Sequence, residues 1–300
     1  MDVMKNHTRA VITAALAVLV LSVPAGAQEF GADSRWLPFV GCWEAVNGED
    51  EIGLLCFRME GEGVTLTNHV AGEVVSTETL VADGRRQQVS VEGCAGFESV
   101  RFSDDGRRVF SQTEFLCGTE EARTGTGVMA FLGPNTWADI RTLAAGDEPF
   151  AWVQEYRLAS AETIAAAGVE NPAAGLGMAV RTGRAAAATR LDLDDVIEAS
   201  EKIDVKAVET WLVAKRDRFD PNGQDLLRLA DAGVPEPVID AVVAVSHPEK
   251  FYAALGEAPE EYAGRRMPPP GYVTYSPFWG PAWGLSFRYG YGPYLSLIHI

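Results

Sequence analysis

The sequence predicts a chain of several parts: an all-β antiparallel up-and-down barrel, a small all-α helical domain, and a low-complexity aromatic tail. Three observations predict it. From Trp36 to Leu158, short β-rich runs alternate with turn signals at a spacing of roughly ten residues. From Leu191 to Leu255 the apolar period lengthens to that of amphipathic helices. Beyond Glu261 the acidic residues stop, and Tyr, Trp, Gly and Pro dominate.

Residues 1–27 come first. Lys5 and Arg9 precede an apolar run from Ala10 to Val23, followed by Pro24 and the small residues Ala25-Gly26-Ala27. This is the pattern of a secretory signal peptide cut after Ala27, and it predicts an exported, periplasmic or extracellular protein. The run is shorter than the ~20 residues of a spanning helix, and no later stretch is longer, so no transmembrane span is expected in the mature protein.

Residues 28–159 carry the β pattern. Gly61-Glu-Gly63, Ala71-Gly72, Asp83-Gly84, Asp104-Asp-Gly106, Gly133-Pro-Asn135 and Ala145-Gly-Asp147 punctuate it. Alternation is clearest in Val64–Thr67, Val89–Val91, Val109–Phe115 and Trp137–Leu143. About eight to ten antiparallel strands joined by tight turns favour a closed barrel, because closure removes exposed edges; a β-sandwich is the rival. All four cysteines, Cys42, Cys56, Cys94 and Cys117, fall here, and export makes two disulfides the default. Three connectivities are possible. Local pairing, Cys42 with Cys56 and Cys94 with Cys117, would staple neighbouring strands and is the preferred one. No C-x-x-C pair exists, so no metal site is expected.

The stretch Trp36-Leu-Pro-Phe-Val-Gly-Cys-Trp43 resembles the start of lipocalin-like (calycin) barrels, where a short helical turn leads into Gly-x-Trp on the first strand. Gly41 and Trp43 match that motif. The resemblance implies that Trp43 plugs one barrel end and that an arginine of the last strand stacks across it, with Arg157 the first candidate and Arg141 the second. It also implies a binding cavity, since about eight strands enclose room for one small ligand. The candidate interior residues are Phe57, Leu66, Phe97, Val109, Phe115 and Trp137, whose alternative role is a filled core.

Residues 160–190 are rich in Ala and Gly and read as a partly helical linker. In 191–256, Asp192 and Asp204 are placed to cap two helices, Asp220-Pro221 to start a third that ends at Gly233, and Pro235 to Val245 to form a fourth. The two halves look like a degenerate helical-hairpin repeat of about 30 residues. The phrase Leu226–Ala241 is similar to hairpins in uncharacterised secreted bacterial proteins, which brings no activity with it. Trp211 reads as a core anchor beside Val208 and Leu212. Residues 257–294 form the Pro/Gly/Tyr-rich tail, read as extended and sticky. Residues 295–300, Leu-Ser-Leu-Ile-His-Ile, match one reading frame of a transposon-end sequencing adapter and are read as foreign sequence.

Composition excludes more than it assigns. A net charge of −17 opposes a phosphate backbone, so no nucleic-acid partner is expected. Four histidines, at 7, 69, 247 and 299, leave little for a triad or metal centre, and His69 reads as an exposed strand residue. Glu98 and Glu114 could do acid–base work, but nothing in the sequence fixes their separation, and Ser90 and Ser111 have no base in view. The expectation is therefore a non-enzyme without cofactor: an exported protein that binds a small apolar or amphipathic ligand and meets an envelope or surface protein through its helices. The alternative is a solid barrel that acts through helices and tail alone.

Overall fold

The computed structural model describes residues 33–46, 53–91, 94–117, 122–144, 149–248 and 250. The segment expected as a signal peptide, the aromatic tail and the last six residues lie outside them. Asp33 caps a single 3-10 turn, Ser34–Trp36, by accepting from the Arg35 amide. Ten strands follow: β1 Gly41–Ala45, β2 Gly53–Glu60, β3 Gly63–Val70, β4 Glu73–Leu80, β5 Gln87–Val91, β6 Cys94–Phe102, β7 Val109–Cys117, β8 Arg123–Gly133, β9 Thr136–Ala144 and β10 Pro149–Leu158. Two-residue turns fix the register where the backbone allows them. Between β3 and β4, Ala71 and Gly72 both take positive φ, +50° and +82°, the pair of left-handed residues that matches the twist of a tight hairpin.

The strands form one antiparallel sheet in the order β4-β3-β2-β1-β10-β9-β8-β7-β6-β5. The first strand lies against the last, as expected of up-and-down topology, with Trp43 opposite Leu158 and Glu44 opposite Arg157. Full closure, however, is absent: β4 and β5 are the two edges of the sheet and do not pair. The connection between them is committed to the β6 side, where Asp83 bridges Arg101. The sheet is nevertheless strongly curled. On the order above, β2 and β8 stand four strand spacings apart, about 19 Å if flat. Yet the Phe39 ring lies 5.8 Å from Phe57 of β2 and 4.9 Å from Phe131 of β8.

A second layer covers part of the outer face. Strands β8 and β9 are apolar on both faces, because Val128, Ala130, Ala138 and Ile140 point away from the inner core that Met129, Phe131 and Trp137 join. Such a surface must be covered on both sides. Six helices follow the sheet: α1 Ala161–Ala166, α2 Gly177–Ala187, α3 Leu193–Lys202, α4 Val205–Lys215, α5 Gly223–Asp231 and α6 Glu236–Ser246. Val196 of α3, Val208, Trp211 and Leu212 of α4, and Val238 and Val242 of α6 share one buried cluster with the outer face of β7–β9. Each such side chain contributes roughly 1.5 to 3 kcal/mol. The helices therefore share a core with the sheet.

The caps follow the sequence closely. Asp192 and Asp195 form a capping box on α3, and Asp204 caps α4. The third expected start shifts two residues: Asn222, not Asp220, accepts the first amides of α5, while Asp220 takes positive φ. The helical layer is also pinned ionically. Arg108, buried in the β6–β7 connection, pairs with Asp195, and with Asp105 at 2.9 Å, its guanidinium 5.5 Å from the Trp211 ring. The stretch 160–190, expected as a linker, carries α1, whose Ile164 packs outside β1 and β2, and α2, which enters the site described next.

Candidate functional site

Alternation along the strands divides the inner face of the sheet into two ends of different chemistry. At the end where the chain enters, the face is aromatic. Trp36, Phe39, Trp43, Phe57, Phe131 and Trp137 are all essentially inaccessible to solvent. Trp137 meets Phe57 edge-on at 5.6 Å and stacks on Tyr156 at 4.3 Å. The Trp43 indole donates its Nε1–H to the Phe39 carbonyl at 2.7 Å.

An arginine does stack across Trp43, but it is Arg184 of α2, its guanidinium 4.7 Å from the ring. It donates Nε–H to the Pro38 carbonyl at 3.0 Å and Nη2–H to the Val40 carbonyl at 2.6 Å. Burial pushes it down to about 10, which leaves it charged at neutral pH. The first candidate, Arg157, is corrected. Its strand does meet β1, but Arg157 faces outward opposite Glu44, whose carboxylate it pairs at 2.9 Å while itself well exposed. Strand alternation turns it away from Trp43.

Farther along the same face the chemistry becomes polar. On β9, Trp137, Asp139, Arg141 and Leu143 share the inner side, and the second stacking candidate, Arg141, instead bonds Asp139. Its Nε–H donates to both carboxylate oxygens, at 2.8 and 2.7 Å, and both side chains are buried. Gly127 on β8 makes room for this arginine: a Cβ there would meet Arg141 Cγ at 3.0 Å and the Ile140 carbonyl at 2.9 Å. Glu98 of β6 faces the pair from across the sheet. Burial pushes the Glu98 carboxyl above the usual range, the Arg141 charge pulls it down, and Asp139 adds repulsion. Burial also raises Asp139, against the hold of Arg141, and burial with the Asp139 charge raises the Tyr156 phenol.

This end is also less enclosed. Ala45, Val89, Glu98, Leu143 and Trp152, all inward by register, are half-buried, and Phe150 is exposed. The Phe150 and Trp152 rings lie 5.5 Å apart. Two carboxyls, a guanidinium and a phenol, bordered by aromatic rings, can hold the polar head of an organic molecule by charge-assisted hydrogen bonds.

Of the expected interior residues, Phe57, Leu66, Val109, Phe115 and Trp137 lie in the inner cluster. Phe97 does not: it is 43% exposed on the outer face, with the Arg86 guanidinium 4.5 Å over its ring. Cys94, Val100 and Phe102 set the inward parity of β6, which puts Glu98 inside and Phe97 out. Glu114 stands opposite Phe97 on that outer face and pairs with Arg86 at 2.8 Å, so Glu98 and Glu114 cannot work together. His69 is half-buried instead of exposed, and desolvation lowers its pKa. The local disulfide is present as Cys42–Cys56, on the outer face beneath α1. Cys94 is also disulfide-bonded and sits opposite Cys117 in the β6–β7 register. No family model and no curated protein matches the sequence.

Proposed function

We propose that this chain is an exported binding protein whose curled sheet works as a lipocalin-like barrel, holding a small amphipathic molecule at its less enclosed end. The observation that carries the reading is the buried Asp139–Arg141 pair beside half-buried Glu98 on the inner face of the sheet. Charges taken out of water are a poor way to stabilise a core, since well-packed apolar residues at such sites often do as well or better. Their clustering with a third carboxyl at the half-buried end, where solvent still reaches Glu98, supports a recognition role. The exposed Phe150 and half-buried Trp152 would take the apolar body of the ligand. Export is supported by the disulfide and by the lack, among the described residues, of a helix long and apolar enough to cross a membrane. A solid structural barrel remains the second reading, and the filled aromatic end supports it for that half of the interior.

Native mass spectrometry of the full exported protein, purified without detergent, separates the two. A binding protein carries a co-purified organic mass, or takes up a neutral solvatochromic dye with a change that Trp152→Phe abolishes. No bound mass together with no dye uptake sinks the proposal.

A further inference from the structure

We propose that the less enclosed end of the sheet is a docking surface for the chain's own aromatic, arginine-bearing tail, residues 265–294. The inference goes beyond the binding reading and needs no ligand, so the two tests fail separately.

Successive strands of an up-and-down sheet run in opposite directions, so their connections fall alternately at the two ends. At the less enclosed end the connections are 46–52, 71–72, 92–93, 118–122 and 145–148, and together they carry eight Asp or Glu and no Lys or Arg. At the aromatic end the connections 61–62, 81–86, 103–108 and 134–135 carry four acids and four arginines. One end of the sheet is therefore strongly acidic, and the other is balanced.

The acidic end also gathers exposed apolar surface. Of the eight large apolar side chains that stand exposed among the described residues, five lie there: Val46 after β1, Val74 and Val75 at the start of β4, Leu116 near the end of β7, and Phe150 at the start of β10. The others are Phe97 at mid-strand and Met178 and Leu227 on helices, so none lies at the aromatic ends of the strands. Apolar groups set around an acidic rim call for an occupant that is both apolar and cationic. Residues 265–294 have that chemistry: nine Tyr, Phe or Trp, with Arg265, Arg266 and Arg288, and no Asp or Glu. An anionic lipid surface would be repelled by the same acid. The tail is also long enough to arrive. The described chain ends at Lys250, beyond α6, and residues 251–264 reach up to about 45 Å when extended, more than the ~30 Å of a nine-residue strand. Tethering gives the tail an effective concentration of roughly millimolar, so weak contacts suffice to hold it.

The test is limited digestion of the full exported protein with chymotrypsin, scored by mass spectrometry as the initial rate of cleavage after Tyr272 and Tyr275, relative to a free synthetic peptide of residues 265–294 in the same buffer. At low salt a docked tail is expected to be cut at least about tenfold more slowly than the peptide, because cleavage then follows the undocked fraction. Most of that protection should be lost at about 1 M salt, where charges are screened beyond about 3 Å. Phe150→Ser with Leu116→Ser, both exposed, should remove it as well. So should Arg265→Gln with Arg266→Gln and Arg288→Gln, measured against a peptide carrying the same changes. Leu227→Ser, an exposed apolar side chain on α5, should leave it intact. Val74→Ser with Val75→Ser gives a second rim variant if the first melts early. Cleavage at the free-peptide rate, or rim variants no different from Leu227→Ser, overturns the docking surface. Protection that rises with protein concentration places the tail on a second copy and overturns its assignment to its own chain.

Discussion

The two ends of the inner face are built from the same strands, yet they solve opposite problems. At the aromatic end, polar atoms are few, and two of them are tied to backbone, the Trp43 indole to Phe39 and the Arg184 guanidinium to Pro38 and Val40, while the Trp36 and Trp137 indole N–H groups are buried without a hydrogen-bond partner. At the other end, the polar groups answer each other, as Asp139 and Arg141 do, and solvent still reaches Glu98. The change happens within one strand, where β9 passes from Trp137 to Asp139 to Arg141 at successive inward positions. Where polar atoms are tied to fixed backbone, substitution should cost stability. Where they are tied to one another beside solvent, substitution should cost recognition.

The largest effect belongs to the aromatic end. Trp43→Ala removes a fully buried indole that touches Phe131 and Trp137 edge-on, and is expected to cost about 3 to 5 kcal/mol in urea unfolding. Trp152→Ala, at the half-exposed end, should cost below about 1 kcal/mol. Equal losses would erase the distinction between the ends. Next comes the staple beside Trp43. Cys42 and Cys56 close a short loop with a sequence separation of 14, so reduction of that bond should lower stability by about 3 kcal/mol. A loss well below that would place the strength of this end in its rings alone.

Arg184 tests how that end is held shut. Arg184→Ala removes two hydrogen bonds to buried carbonyls and a cation–π contact, and should cost about 2 to 3 kcal/mol, coupled to Trp43 in a double-mutant cycle. Arg157→Ala breaks a well-exposed pair with Glu44 and should cost no more than about 0.5 kcal/mol. If Arg157 couples to Trp43 and Arg184 does not, the assignment of the stacking arginine is wrong.

Much of this architecture was legible in the sequence, and what was missed shares one cause. The hairpins and caps declare themselves locally, through residues such as Ala71-Gly72, Asp192 and Asp204. The pairing of β1 with β10 followed from topology, and the local disulfide from that same hairpin order. Arg184 was missed because an Ala-rich stretch carries no periodic signal, and its contact spans more than a hundred residues of chain. The polar cluster was missed through parity. Phe97, expected inward as an aromatic strand residue, faces out because Cys94, Val100 and Phe102 set the opposite face. Likewise, Asp139 and Arg141 share the alternation of Trp137; Arg141 is expected inward as a stacking partner of Trp43, and the sequence carries no sign that Asp139 holds it instead. The inward charges are where local reasoning fails, a pattern shared by functional and strained sites.

The smallest effect has the opposite sign from the rest. Burial holds the Glu98 carboxyl above its ordinary value of 4.5, so the folded state binds that proton more readily than the unfolded chain does. Stability must then fall as pH rises through the folded-state pKa, and the deficit persists at pH 7. Glu98→Gln removes the ionisation and should therefore stabilise the protein at pH 7, by less than about 1 kcal/mol. The gain should fade as pH falls through and below 4.5, as the carboxyl becomes protonated in the unfolded chain as well. Urea unfolding of both proteins across pH 4 to 8 measures it. A variant that is less stable at pH 7 would mean that the Arg141 charge outweighs desolvation and that Glu98 belongs to a structural ion network. A variant that is more stable yet takes up less of the neutral dye would show the less enclosed end giving up stability for recognition, the reverse of what Trp43 does at the other end.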